Sequence, residues 1–186
     1  MMERFSIKEG VKLIGDAIKK SDYDPDKRIM RGESREDDTL FDIRNCPIDG
    51  NNGCWNGERG NSTWIPDDNY IPEKYNPNHQ SWKDIKKQYG IDGIPFKDGE
   101  PDFSEVSKGE VEIETFTVYR SKNFAQADER LAAQKGCEAK DVRRWREYNR
   151  YTWHEHTNCK TMSKIPNIIH LNITHRGGVA SQKEEL

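Results

Sequence analysis

His154, Glu155 and His156 follow directly on Tyr151-Thr152-Trp153, and His170 and His175 lie between Ile165 and Gly178, so four of the chain's five histidines crowd one C-terminal segment. Neutral imidazole nitrogens are the commonest protein donors to zinc-like ions, and a carboxylate among them adds an oxygen donor or a proton acceptor. The chemistry open to such a group is metal-assisted hydrolysis, with a side-chain base taking the proton of the attacking water. His156 is preferred to Glu155 as that base, because an ordinary carboxylate is too weakly basic at physiological pH. The same donors also suit a non-catalytic structural zinc site. That reading is weaker, since such sites fill all four positions with protein ligands, usually including cysteine, and only Cys159 lies nearby.

Elements of fixed geometry must hold these side chains. Thr152 to His156 and Lys160 to Lys164 read as two strands joined across Thr157-Asn158-Cys159, and Pro166 suits the first turn of a helix, where its missing N–H has no acceptor to lose. On a strand, His154 and His156 face one way and Glu155 the other. Five residues carry a regular helix about 140° past a full turn, so His170 and His175 cannot share an ion from an intact helix. The helix is therefore expected to stop near Asn172 or Ile173, with His175 returning on extended chain before Gly177-Gly178. Trp153 and Met162 read as packing under the hairpin. Asn172 reads as a helix-terminal residue in solvent, with orientation of the base as its alternative role.

Upstream, Val111 and Ile113 open an alternating stretch that predicts a strand over 110–118, with Glu110, Glu112 and Glu114 on its solvent face. Ser121 is placed as the cap of a helix carrying Phe124, Ala127, Leu131 and Ala132, closed by Gly136. A second helix is predicted from Glu138 to Asn149, burying Val142, Trp145 and Tyr148 while Arg143, Arg144 and Arg146 project elsewhere. Cys46 to Asp102 is dense in Gly, Asn, Asp and Pro and reads as long loops pinned by Trp55, Trp64, Tyr70, Tyr75 and Trp82, with one helix at Ser81 to Tyr89. Gly57-Glu58-Arg59-Gly60 reads as a tight turn and His79 as an exposed turn residue. An amphipathic helix is predicted over residues 5–20, followed by a charged linker, which sets a boundary near residue 38 and a main domain at 39–186.

Composition narrows the class. With 32% hydrophobic against 34% charged residues and a mean hydropathy of -1.08, the core must be small and helped by aromatics or a metal. A net charge of -3 excludes a global attraction to nucleic acid. Locally, however, Arg143, Arg144, Arg146, Arg150, Lys164 and Arg176 surround the histidines and are the candidate nucleic-acid contacts, with a solvated helix face as the alternative. The cysteines at 46, 54, 137 and 159 form no CxxC pair and read as free thiols, although Cys46 and Cys54 are close enough in sequence to join. No apolar stretch has the length of a membrane span, and no signal peptide is legible.

Trp153-His154-Glu155-His156, with Met162, Ile165-Pro166, His170, His175 and Gly177-Gly178, resembles the WHH branch of the HNH/endonuclease VII superfamily of bacterial toxin nucleases. Gly57 to Ser62, Ile65-Pro66, Gly93 to Phe96 and Pro101-Asp102-Phe103 resemble the segment that precedes this motif, so the likeness spans roughly residues 40 to 180. It implies an α+β fold with helices, a short sheet and long loops upstream of a ββα-metal (His-Me finger) unit at about 151–178. The unit would hold one divalent ion (Zn, Mg, Mn or Ni) through His170, His175 and a hairpin group, His154 or Glu155. The family pattern places two adjacent histidines after the tryptophan. Here Glu155 takes the second place and His156 follows, so His154, Glu155 and His156 all remain candidates for the catalytic role. The resemblance further implies a DNase, with RNA, including transfer RNA, as the alternative substrate. It implies the toxic end of a larger secreted polymorphic or contact-dependent inhibition toxin, acting in the target-cell cytoplasm and neutralised by a cognate immunity protein.

Overall fold

The segment Cys46 to Asp102, expected to be loops, carries a sheet. In the computed structural model, which describes residues 43–184, strands β1 (Gly53–Trp55), β2 (Thr63–Pro66), β3 (Ile94–Lys97) and β4 (Glu100–Pro101) pair antiparallel in the order β1-β2-β3-β4. Each strand has two to four residues and three of them contain proline, so no alternation runs long enough to read from sequence. The helix expected over residues 5–20 and its linker lie outside the described residues. Trp55, Trp64 and Trp82 are buried anchors as expected, but Tyr75 is exposed. Helix α1 (Trp82–Tyr89) forms where its signals place it, with a Ser81–Asp84 capping box and Gly90 left-handed at φ 71°. The Arg59 guanidinium donates to the carbonyls of Cys46 and Pro47, which makes Gly57 to Gly60 the structural turn it was read as.

A second antiparallel sheet holds β5 (Glu110–Glu112), β6 (Tyr151–Glu155) and β7 (Thr161–Pro166) in the order β5-β7-β6. The strand expected over 110–118 ends at Glu112 because that residue pairs with Thr161, the first residue of β7. Helix α2 (Arg120–Lys135) begins after Tyr119, which makes no side-chain cap, and Ser121 lies in the first turn instead of capping it. Asn123 organises this start. Its amide donates to Thr117 O (2.7 Å) and accepts from Thr117 N (2.9 Å). Gly136 closes the helix as expected, at φ 65°.

Helix α3 (Ala139–Tyr148) is rotated relative to the sequence expectation. Val142 is buried, but Trp145 is 42% exposed, Tyr148 is 85% exposed, and Arg146 turns inward at 8%. The cause is Asp128, a buried carboxylate on α2 that needs donors. Arg146 supplies two, from Nε at 3.1 Å and Nη2 at 2.8 Å, and Trp153 Nε1 adds a third at 2.8 Å. Arg146 is thus committed to the interior and is withdrawn from the candidate nucleic-acid contacts.

The β6–β7 hairpin separates two apolar clusters. His154 pairs with Ser163 and Glu155 with Met162, so His154, Ser163 and Ile165 share one face while Trp153, Glu155, Met162 and Lys164 share the other. Ile165 packs with Trp55, Trp64, Phe96, Phe103, Ile168 and Ile169, whereas Trp153 and Met162 pack with Val111, Leu131 and Val142. Short helices α4 (Asn167–His170), with Pro166 as its N-cap, and α5 (Gly178–Glu184) complete the described chain.

Candidate metal centre

Three of the four clustered histidines converge. His154 comes from β6, His170 from the last residue of α4 and His175 from the chain beyond it, and their ligand nitrogens lie within 4.8 Å of one another. The helix ends at His170, slightly earlier than expected, and that early end lets a ligand pair five residues apart face one point. Phe103 lies against all three rings, with centroids 5.1, 5.8 and 5.6 Å from His154, His170 and His175. Gly178 closes the return. A Cβ there would stand 2.3 Å from the His156 carbonyl oxygen, so only glycine lets the segment seat against the hairpin.

The donor set fits a small divalent cation. Burial pushes all three imidazoles toward the neutral form, with His175 down to about 4 and His170 well below its ordinary value. His154 Nδ1 and His170 Nε2 face each other at 3.1 Å, close to the edge of about 3.3 Å expected between ligands of a tetrahedral ion with bonds of about 2.0 Å. His175 Nδ1 donates to the Ile173 carbonyl at 2.8 Å, which fixes the tautomer that leaves its Nε2 lone pair free. Of the far nitrogens, His170 Nδ1 is buried without a hydrogen-bond partner among the described residues, and His154 Nε2 has the Glu100 carboxylate 3.8 Å away.

Glu155 does not join this group. Its side chain lies on the opposite face of β6, where it accepts from Asn123 Nδ2 at 2.8 Å and meets Arg120 Nε at 3.2 Å. Burial raises its pKa, and Asn123 and Arg120 oppose that shift without cancelling it. Glu155 and Arg120 nevertheless line the same cleft of about 330 Å³ as the three imidazoles, and Arg120 remains largely exposed above it.

His156 belongs to a second group of possible ligands, with Glu100 and His154, and its ring centroid lies 4.7 Å from that of His154. Its Nδ1 lies 3.0 Å from Glu100 Oε1 and its Nε2 lies 2.8 Å from Ser163 Oγ, whose own hydroxyl donates to Glu110 Oε2 at 2.9 Å. Both ring nitrogens of His156 are thus engaged by side chains of the protein. His156 does not line the cleft.

Glu100, Ser163 and Arg120 carry no expectation from the sequence, and Phe103 enters there only as part of the resembling segment Pro101-Asp102-Phe103. Glu100 is the most informative of the four, because its carboxylate on β4 touches both His154 (3.8 Å) and His156 and accepts from Thr157. Burial works to raise its pKa, but the contacts with His154, His156 and Thr157 outweigh it and hold the carboxyl well below the usual range. Its signal was the strand that was read as a loop. Asn172, expected in solvent or beside the base, instead clips Lys74 to α4 by bonding Lys74 N and O and Ile168 O.

Of the other candidate contacts, Arg143 and Arg144 are exposed on α3 and paired with Glu147 and Asp141, and Arg150 is exposed. Lys164 is buried, and Arg176 pairs with Glu184. None of the four cysteines is in a disulfide, and among the described residues no helix is long and apolar enough to cross a membrane. No curated protein matches the chain. Residues 94–177, which hold the whole histidine cluster with Glu100, Arg120 and Glu155, match the family model described as the DNase/tRNase domain of colicin-like bacteriocin, and this similarity supports a nuclease toxin domain.

Proposed function

We propose that residues 39–186 form a metal-dependent endonuclease that hydrolyses phosphodiester bonds of DNA, with His154, His170 and His175 holding one divalent ion. The supporting observation is the convergence of three neutral imidazoles in a cleft that Arg120 overhangs. An ion bound there would supply Lewis-acid stabilisation of charge on the phosphate and the leaving oxygen. Arg120, aimed by Glu155, binds a phosphate oxygen at the mouth of the cleft. Asn123 fixes the Glu155 carboxylate, leaving it acceptor capacity for the proton of an attacking water. Glu155 is preferred to His156 as the base because it lines the cleft, whereas both nitrogens of His156 are engaged. The matched description covers both DNase and tRNase domains. By that likeness we infer a delivered bacterial toxin neutralised by an immunity protein.

The test incubates purified protein with plasmid DNA and with total RNA, with chelator or with added Zn, Mg, Mn or Ni. DNA cutting that chelator abolishes is expected, with folded His170→Ala and Glu155→Gln variants at least about a hundredfold slower. Cleavage of RNA alone would move the substrate assignment to tRNA-like targets. Activity lost in His156→Ala and kept in Glu155→Gln would return the base to His156. A folded parent that binds zinc but cuts neither substrate would favour the structural-zinc reading.

A further inference from the structure

Lys164 is 4% exposed, yet its ammonium has no carboxylate in ion-pair reach among the described residues. Its Nζ lies 4.2 Å from the centroid of the Trp145 ring. The acids around it are already engaged: Asp128 accepts from Arg146 and Trp153, and Asp141 pairs with Arg144 at 3.8 Å. A buried cation whose close contact is an aromatic ring and not a carboxylate remains costly, and the cost is relieved when an anion arrives. Lys164 also opens onto a cavity of about 390 Å³ with mainly apolar walls, where Val142 and Trp145 form the floor and Lys108 and Lys135 stand at the rim with Asp141. Trp145, 42% exposed, lines it, with the Tyr151 ring centroid 5.1 Å from its own.

The geometry points to an accessory subsite on this cavity that takes one nucleotide of a single-stranded nucleic acid, with the base on Trp145 and the phosphate on Lys164, Lys108 and Lys135. The subsite rests on the proposed nuclease reading for its ligand, but on none of the residues of the histidine cleft. A flat apolar body carrying a negative charge matches both the walls and the cations, and stacking with phosphate contact is how sequence-independent single-strand binding works. The want of a carboxylate beside the Lys164 ammonium is then explained by the anion it receives.

The test titrates a labelled single-stranded oligodeoxynucleotide of about ten nucleotides into the full chain in chelator, so that nothing is cut. Lys164→Met and Trp145→Ala are expected to weaken Kd by about tenfold each, and Lys164→Met to flatten the salt dependence by about 0.7 in log–log slope. Lys87→Met, an exposed lysine on α1, is expected to leave Kd within about twofold. Because Lys164→Met removes a buried unpaired charge, its unfolding temperature is expected to hold or rise, so lost binding cannot be put down to unfolding. Unchanged affinity and slope in both cavity variants would overturn the subsite. So would Lys164-dependent binding of poly-glutamate in preference to the oligonucleotide, which would make the cavity a protein-docking site. Plasmid cleavage with added ion is read in parallel. Cutting without any effect of the cavity variants on binding removes the subsite and leaves the nuclease; binding that needs Lys164 and Trp145 without cutting does the reverse.

Discussion

At the scale of single residues, the convergence of His154, His170 and His175 was legible and their surroundings were not. Strand parity separates His154 from Glu155, and helical pitch separates His170 from His175, because both follow from local geometry. The preference for His156 rested on the weakness of an ordinary carboxylate, and Glu155 is not ordinary, since burial raises its pKa. Glu100 was invisible because its contacts cross more than fifty residues of sequence. Glu100→Gln is expected to lower the affinity of the histidine site for zinc by about 10–100-fold, as removal of an outer carboxylate does. Competition with a chromophoric chelator measures this, and an unchanged zinc affinity would show that Glu100 serves His156 alone. Lys164 gives a pH dependence of defined sign. Burial, then Lys135, pushes its pKa down to about 8, below the unfolded value. The native state therefore binds fewer protons than the unfolded chain, and stability rises as pH climbs from about 8 toward about 10.4. Denaturant unfolding at pH 7.5 and 9.5 is expected to show a gain of about 1–2 kcal/mol in the parent that is absent in Lys164→Met; equal slopes in both proteins would contradict this.

At the scale of elements, α1, α2, α3 and the hairpin were readable because each has length, periodicity or a glycine stop. The first sheet was not, because strands of two to four residues depend on partners for their existence. The rotation of α3 escaped for a related reason: periodicity proposes an apolar face, but one buried acid on the neighbouring helix overrides it. This makes Asp128 the pin between α2, α3 and β6. Asp128→Ala leaves Arg146 buried and unpaired, and is expected to cost about 3–5 kcal/mol in urea unfolding, while Asp128→Leu combined with Arg146→Met recovers most of that. A single-variant cost below about 1 kcal/mol would show that the pair is solvent-screened.

At the scale of the molecule, the described residues of a chain with 34% charged residues build two modest clusters in place of one large core, and a bound ion would add to their stability. Zinc at about a hundred times its Kd is expected to stabilise the parent by about 2.7 kcal/mol, read as a rise in melting temperature. His170→Ala should lose that rise; a rise that persists in the variant would place the ion elsewhere. The hairpin is the wall that both clusters share, since Met162 belongs to one and Ile165, three residues on, to the other. Opening either half exposes this wall, so the two halves are expected to melt together. Limited digestion of residues 43–184 should pass from intact chain to small fragments without a lasting half-size product, and the histidines should survive or vanish with the whole.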